Sequence, residues 1–181
     1  AFLIMLGFGQ LIAGSLSDRI GRRPVLVYGS LLFLLSGLGA LFATGIEMLV
    51  FMRILQGLGA ATCMAMGRVI ISDSFQHAEA GRQMSTITMF QSVVPLLGFS
   101  FGGVLADLVG WRGSVGLMVV TAAIVFAGAS MLLVESRDPS IKPVPATRII
   151  FVYWQLLVTP LFITNAMMAA TVTAVYFSMG G

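Results

Sequence analysis

Long apolar stretches separated by short polar ones dominate the chain. Residues 24–46, 83–106 and 113–134 contain no Asp, Glu, Lys or Arg, and neither do residues 1–17 or 149–181. Between Met48 and Ile71 the same apolar pattern continues, with Arg53 inside it. A helix needs about 20 residues to cross a hydrocarbon core of roughly 30 Å. Lipid admits only helices or closed barrels, because every backbone N–H and C=O must be bonded internally. The runs are continuous and show no period of two, which excludes barrel strands. Six spans are predicted: 1–17, 25–45, 48–72, 84–106, 112–134 and 158–179. The chain starts at Ala1 inside one apolar run and stops at Gly181 just after another, so a fragment of a longer protein is expected.

Composition narrows the class. Of the 181 residues, 58% are hydrophobic and 9% charged, against about 25% charged in a soluble domain. So few charges cannot cover a water-facing surface, and a disordered chain needs the opposite balance. The expected fold class is all-α, a polytopic transmembrane helical bundle. Net charge is +3, which in a membrane protein points to basic loops rather than nucleic acid. The single Cys63 excludes an intrachain disulfide, and one Cys with one His makes no ordinary zinc site. There is no phosphate-binding Walker loop and no serine elbow. Neither an enzyme nor a bound cofactor or metal is expected.

The charges are bunched by side. Stretches 18–24, 73–83 and 135–157 hold Arg19, Arg22, Arg23, Arg82, Arg137, Lys142 and Arg148. The alternating stretches 46–47 and 107–111 hold no basic residue, although Arg112 borders the second. The positive-inside rule therefore assigns loops 18–24, 73–83 and 135–157 to the cytoplasm. Segment 135–148 carries three prolines and five charges and reads as a linker. Residues 149–157, with Tyr153 and Trp154, read as an interfacial helix. The expected division is 1–134, then a linker 135–157, then 158–181.

The stretch Gly14-Ser15-Leu16-Ser17-Asp18-Arg19-Ile20-Gly21-Arg22-Arg23-Pro24 is on its own chemistry a tight turn: Gly21 allows positive φ and Pro24 suits a helix's first turn. Its pattern resembles the G-x-L-x-D-x-x-G-R-R signature loop of the major facilitator superfamily, matching at Gly14, Leu16, Asp18, Gly21, Arg22 and Arg23. Arg53-x-x-Gln56-Gly57-x-Gly59-Ala60-Ala61 is similar to that family's fourth-helix motif. Pro95 and Gly98, followed by Gly102-Gly103 and Gly110-Trp111-Arg112, partly match the antiporter motif of its drug-exporting branches; Val94 and Phe99 replace two of its glycines. The whole most resembles drug/proton antiporters of the bicyclomycin-resistance type. The resemblance implies that the chain holds helices two to seven of twelve: five helices of the N-terminal half, the linker, and the first helix of the C-terminal half.

Several side chains are candidates for function. Arg53 lies about one turn inside its span, where a charge is costly. It is either a snorkelling interfacial arginine or, as the resemblance implies, a cavity-facing group that couples proton movement to transport. Asp73, near Arg68, is either a solvated helix-end charge or, by resemblance, a partner of Arg19, Arg22 or Arg23. With Asp18 it would form a conformational switch. Pro95 and Gly98 interrupt the fifth helix of the family's count as a kink or a hinge. Gln56, Gln91 and Asn165 are intramembrane amides suited to interhelical hydrogen bonds or to substrate contact. His77 and Cys63 are taken as a solvated loop residue and a packing residue.

The expected function is secondary active transport: proton-driven efflux of small amphipathic compounds, including drugs, by alternating access. The proton gradient would supply the energy and a protonatable acid outside this chain would carry the proton. The expected partners are the lipid bilayer, a small-molecule substrate and protons, with no nucleic acid. The expected state is a monomer in a cell membrane, a bacterial inner membrane. The alternatives are a sugar or organic-acid porter of the same superfamily and, in another class, a non-transporting membrane scaffold.

Overall fold

The computed structural model describes residues 2–137, 151, 155 and 158–179. Six helices run through these residues: α1 (Phe2–Ile20), α2 (Arg22–Leu41), α3 (Ile46–Ser74), α4 (His77–Val109), α5 (Trp111–Leu132) and α6 (Pro160–Met179). Of these, α2, α3, α4 and α5 are long and apolar enough to cross a membrane. Two compact units divide the chain, Ala1–Ile141 with α1 to α5 and Lys142–Gly181 with α6. The last helix of the first unit, α5, ends at Leu132. Most of the expected interfacial helix at 149–157 lies outside the described residues; Phe151 and Gln155 are helical.

The polar stretches are much shorter as connections than the charge pattern suggests. Asp18 and Arg19 belong to the last turn of α1, and Arg22 and Arg23 to the first turn of α2. Gly21 alone joins the two helices, at φ +107°, where a side chain is strained. Likewise Asp73 lies in the last turn of α3, and only Phe75 and Gln76 separate α3 from α4. Gly110, at φ +79°, is the whole connection between α4 and α5. Loops expected over 18–24, 73–83 and 107–111 are therefore mostly helix. The physical reason is simple: a helix satisfies its own backbone, so it need not stop where the apolar residues stop. At 29 and 33 residues, α3 and α4 carry their charged ends well beyond an apolar core.

Helix α3 sits between α1 and α2, and glycines set how closely they meet. A Cβ at Gly57 would lie 2.6 Å from the carbonyl oxygen of Phe2 on α1. A Cβ at Gly59 would lie 2.7 Å from both the carbonyl oxygen of Gly29 and the amide nitrogen of Phe33 on α2. On α1, Gly9 meets Ala61 of α3, and on α2, Gly37 meets Val119 of α5. Small residues matter here because lipid tails are as apolar as leucine, so close backbone packing has to hold helices together. Near one end, Ala13, Val25 and Met66 form a buried cluster flanked by Leu26, Ala65, Val69 and Ile70. On α4 the situation differs. A Cβ at Gly98, Gly102 or Gly103 would meet nothing within 4 Å. Pro95 lies inside α4, which continues as a helix through it.

These contacts order the glycines by consequence. Gly59→Val should destabilise the bundle by about 1–3 kcal/mol, the usual range for overpacking a tight contact. Its neighbours there are backbone atoms that cannot swing aside. Gly103→Ala should leave stability unchanged or slightly improved. Thermal unfolding of the two variants in one detergent checks both outcomes.

Candidate functional site

The short connection between α1 and α2 brings a dense polar cluster to one end of the bundle. Arg22 is its centre. Its Nε donates to Asp73 Oδ2 at 2.9 Å, and its Nη1 donates to Asp18 Oδ1 at 2.5 Å and to Ser17 Oγ at 2.8 Å. Three helices thus meet on one guanidinium whose planar fork suits two carboxylates at once. The Arg22 side chain is 14% exposed and that of Asp73 is 28% exposed, so this pair is better shielded than an ordinary surface bridge. Ser17 is fully buried, and its hydroxyl donates a hydrogen bond to the carbonyl of Gly14.

The other basic residues face different partners. Arg23 donates through Nη2 to the carbonyl of Ser130 near the end of α5, at 2.9 Å. Arg19 is exposed, and its carbonyl accepts from Arg137 Nη1 at 2.8 Å. Glu135 completes the cluster. Its carboxylate accepts from the backbone N–H groups of Arg22 (2.8 Å), Arg23 (3.2 Å) and Arg137 (3.0 Å). The first amides of α2 have no partner within their helix, and the helix dipole favours an anion there. Arg137 serves the opposite pole, the carbonyl end of α1. Desolvation pushes the Glu135 carboxyl upward, but the backbone donors outweigh it and hold its pKa below the ordinary glutamate value. Glu135 and Arg137 fall in a segment that reads as linker, and nothing in their local spacing marks them as partners of residues more than a hundred positions away.

Toward the other end of the bundle lies Arg53 of α3. It is partly buried, and its Nη1 donates to Gln56 Oε1 at 3.1 Å, with the Met118 sulfur of α5 at 3.8 Å. No carboxylate pairs with it among the described residues. Arg53 lines a cavity of about 470 Å³ with Leu49, Ala106, Trp111, Ser114, Val115 and Met118. Gln56 is fully buried, and its amide nitrogen has no hydrogen-bond partner among the described residues. At the same end, Arg112 stacks over Trp111 at 4.4 Å and donates to the carbonyls of Leu41 (3.4 Å) and Ala43 (3.3 Å). It caps the free carbonyl end of α2, a role its sequence position conceals.

The remaining candidates are scattered. Gln91 of α4 accepts from Arg68 Nη2 of α3 at 3.4 Å. Asn165 lies in the second unit and donates to the carbonyl of Leu161 in its own helix, at 2.7 Å. Cys63 is a free, partly buried thiol. Gly14 leaves open space around it, whereas a Cβ on Gly21 would strike the Glu135 carboxylate. Among the described residues no group of His, Cys, Asp and Glu is arranged to hold a metal.

The Glu135 carboxylate gives a signed pH dependence. Because its pKa is lowered on folding, its stabilising contribution is present above the ordinary glutamate range. That contribution is lost as pH falls through the depressed value. Wild type should therefore be more thermostable than Glu135→Gln at neutral pH, and the gap should shrink on acidification. Melting curves of both proteins across the acid range measure it.

The Major Facilitator Superfamily description matches residues 1–180. The chain is 29% identical over 170 residues to the multidrug resistance protein MdtM of Salmonella typhimurium, covering 94% of this chain and 40% of that protein. It is 32% identical over 149 residues to multidrug resistance protein D of Escherichia coli, covering 82% of this chain and 36% of that protein. It is 33% identical over 132 residues to a chloramphenicol resistance protein of Pseudomonas aeruginosa, covering 67% and 30%. Among solved structures, the peptide transporter POT in complex with alafosfalin superposes with a TM-score of 0.61 at 20% identity, covering 98% of this chain and 35% of that one. The chain thus spans 40% or less of the length of these relatives. With its multiple apolar helices it is a multi-pass membrane protein, and it belongs to the Major Facilitator Superfamily.

Proposed function

We propose that the protein carrying this chain is a proton-coupled exporter of small amphipathic compounds that works by alternating access. The observation that carries the reading is the Arg22 cluster, which ties α1, α2 and α3 together through partly exposed charges. Relatives named as multidrug resistance proteins support the substrate class. In this proposal the cluster lies on the cytoplasmic side and closes that side in one conformer. Individually such pairs are weak, and a switch needs only a few kcal/mol of difference between two states. Asp18 and Asp73 share one guanidinium, so separating either helix end leaves Arg22 partly unpaired.

Arg53 supplies the second element. Its partners Gln56 and Met118 are neutral, so its charge is uncompensated within the described residues. An acid brought beside it elsewhere in the protein would have its pKa lowered. Proton release would then follow the approach of that acid to Arg53, which is the coupling an antiporter needs.

Ethidium export from cells expressing the protein tests this. Wild type should lower accumulated dye, and a protonophore should abolish the effect. Arg53→Ala should reduce export at least about ten-fold while the protein still inserts. Arg53→Lys should retain part of it, because the charge remains although the fork is lost. Asp73→Asn should also impair export, with thermal stability falling by only about 1 kcal/mol. Export unaffected by the protonophore, or normal in Arg53→Ala, removes the coupling role.

A further inference from the structure

A second cation stands in α3 that the Arg22 cluster does not use. Arg68 lies roughly 9 Å of helix rise short of Ser74. It is exposed within the described unit. Asp73, the acid closest to it along α3, is held by Arg22. Arg68 turns instead to Gln91, donating Nη2 to Oε1 at 3.4 Å. Gln91 stands about 21 Å of rise into α4 from His77. The guanidinium therefore reaches along the interior of α4 rather than toward the polar helix ends, unlike a snorkelling arginine.

A neutral amide solvates this charge but does not neutralise it. In a span, an uncompensated guanidinium calls for an anion. A guanidinium has five N–H donors, and Arg68 uses one of them among the described residues. Accepting that bond fixes the Gln91 amide, whose NH2 group then supplies two further donors beside the guanidinium. Met64 lies one turn away on α3 and the exposed Val94 one turn away on α4. The result is a compact set of donors flanked by apolar surface.

We propose that Arg68 and Gln91 form an oxyanion-binding pair that takes the carboxylate, sulfonate or phosphate of an anionic amphiphile. Two sources share this chemistry, a transported organic anion and a membrane phospholipid. For the transported ligand the proposal rests on the export reading above. Binding as such does not, since it requires neither transport nor proton coupling.

The probe is dansylaminoundecanoic acid, compared with its methyl ester, titrated by fluorescence into the purified full-length protein in phosphatidylcholine nanodiscs. Wild type should bind the acid roughly ten-fold more tightly than the ester, the scale of a charge-assisted hydrogen bond. Arg68→Gln should abolish that preference, Arg68→Lys should keep part of it, and Gln91→Leu should reduce it several-fold. Melting temperatures near wild type certify that the variants are folded. Repeating the titration with phosphatidylglycerol in the nanodiscs separates the sources. If anionic lipid displaces the probe and is retained by wild type but not by Arg68→Gln, the ligand is phospholipid. If only exported compounds displace it, the ligand is cargo. Equal affinity for acid and ester in wild type, or an undiminished preference in folded Arg68→Gln, overturns the proposal. Loss of export with the acid preference intact would instead count against the transport reading alone.

Discussion

Two backbones, those of α1 and α2, can approach α3 closely only because Gly57 and Gly59 lack side chains. One glycine admits α1 and the other admits α2, on opposite flanks of the same helical turn. In lipid there is no hydrophobic force to press helices together, so this contact has to be made by van der Waals packing of the backbones themselves. The candidate residues of α3 hang from that fixed point. Gln56 adjoins it and Arg53 sits about one turn to the same side, and Arg68 and Asp73 lie farther along on the other. A bulkier junction would displace α1 and α2, and with them the reach of Arg22 to Asp73.

Charge is handled in two ways within the bundle. Around Arg22, cations meet carboxylates and helix termini, and each pole has a complement. Arg53 and Arg68 meet amides and sulfur. The first arrangement stores little net charge and resists separation of the helices. The second leaves positive charge available to whatever anion comes within reach.

Much of the fold was legible because lipid constrains it so strongly. Charge-free runs longer than about 20 residues admit few structures, and all six predicted spans coincide with helices. Their ends were not legible, because hydropathy marks where the hydrocarbon stops and not where the helix does. Asp18, Arg22 and Asp73 were identifiable from a motif and a position. The choice of Arg22 over Arg19 and Arg23 as the partner of Asp73 depends on the angle at which Gly21 turns the chain, which no spacing encodes. The partners of Glu135, Arg137 and Arg112 are illegible for the same reason. Each binds backbone groups of a distant helix end, and a backbone carbonyl or amide leaves no trace in residue type.

The Glu135–Arg137 segment matters for how this kind of protein can be taken apart. Its carboxylate serves the amide end of α2 and its guanidinium serves the carbonyl end of α1, so the three-residue stretch behaves as a plug for the joint formed by Gly21. Separately expressed halves, fluorescent insertions and protease sites are natural tools for a membrane protein of this family. A break placed at residue 134, where the apolar run ends, would leave the plug on the wrong piece. A break placed beyond Arg137 keeps it with the helices it closes.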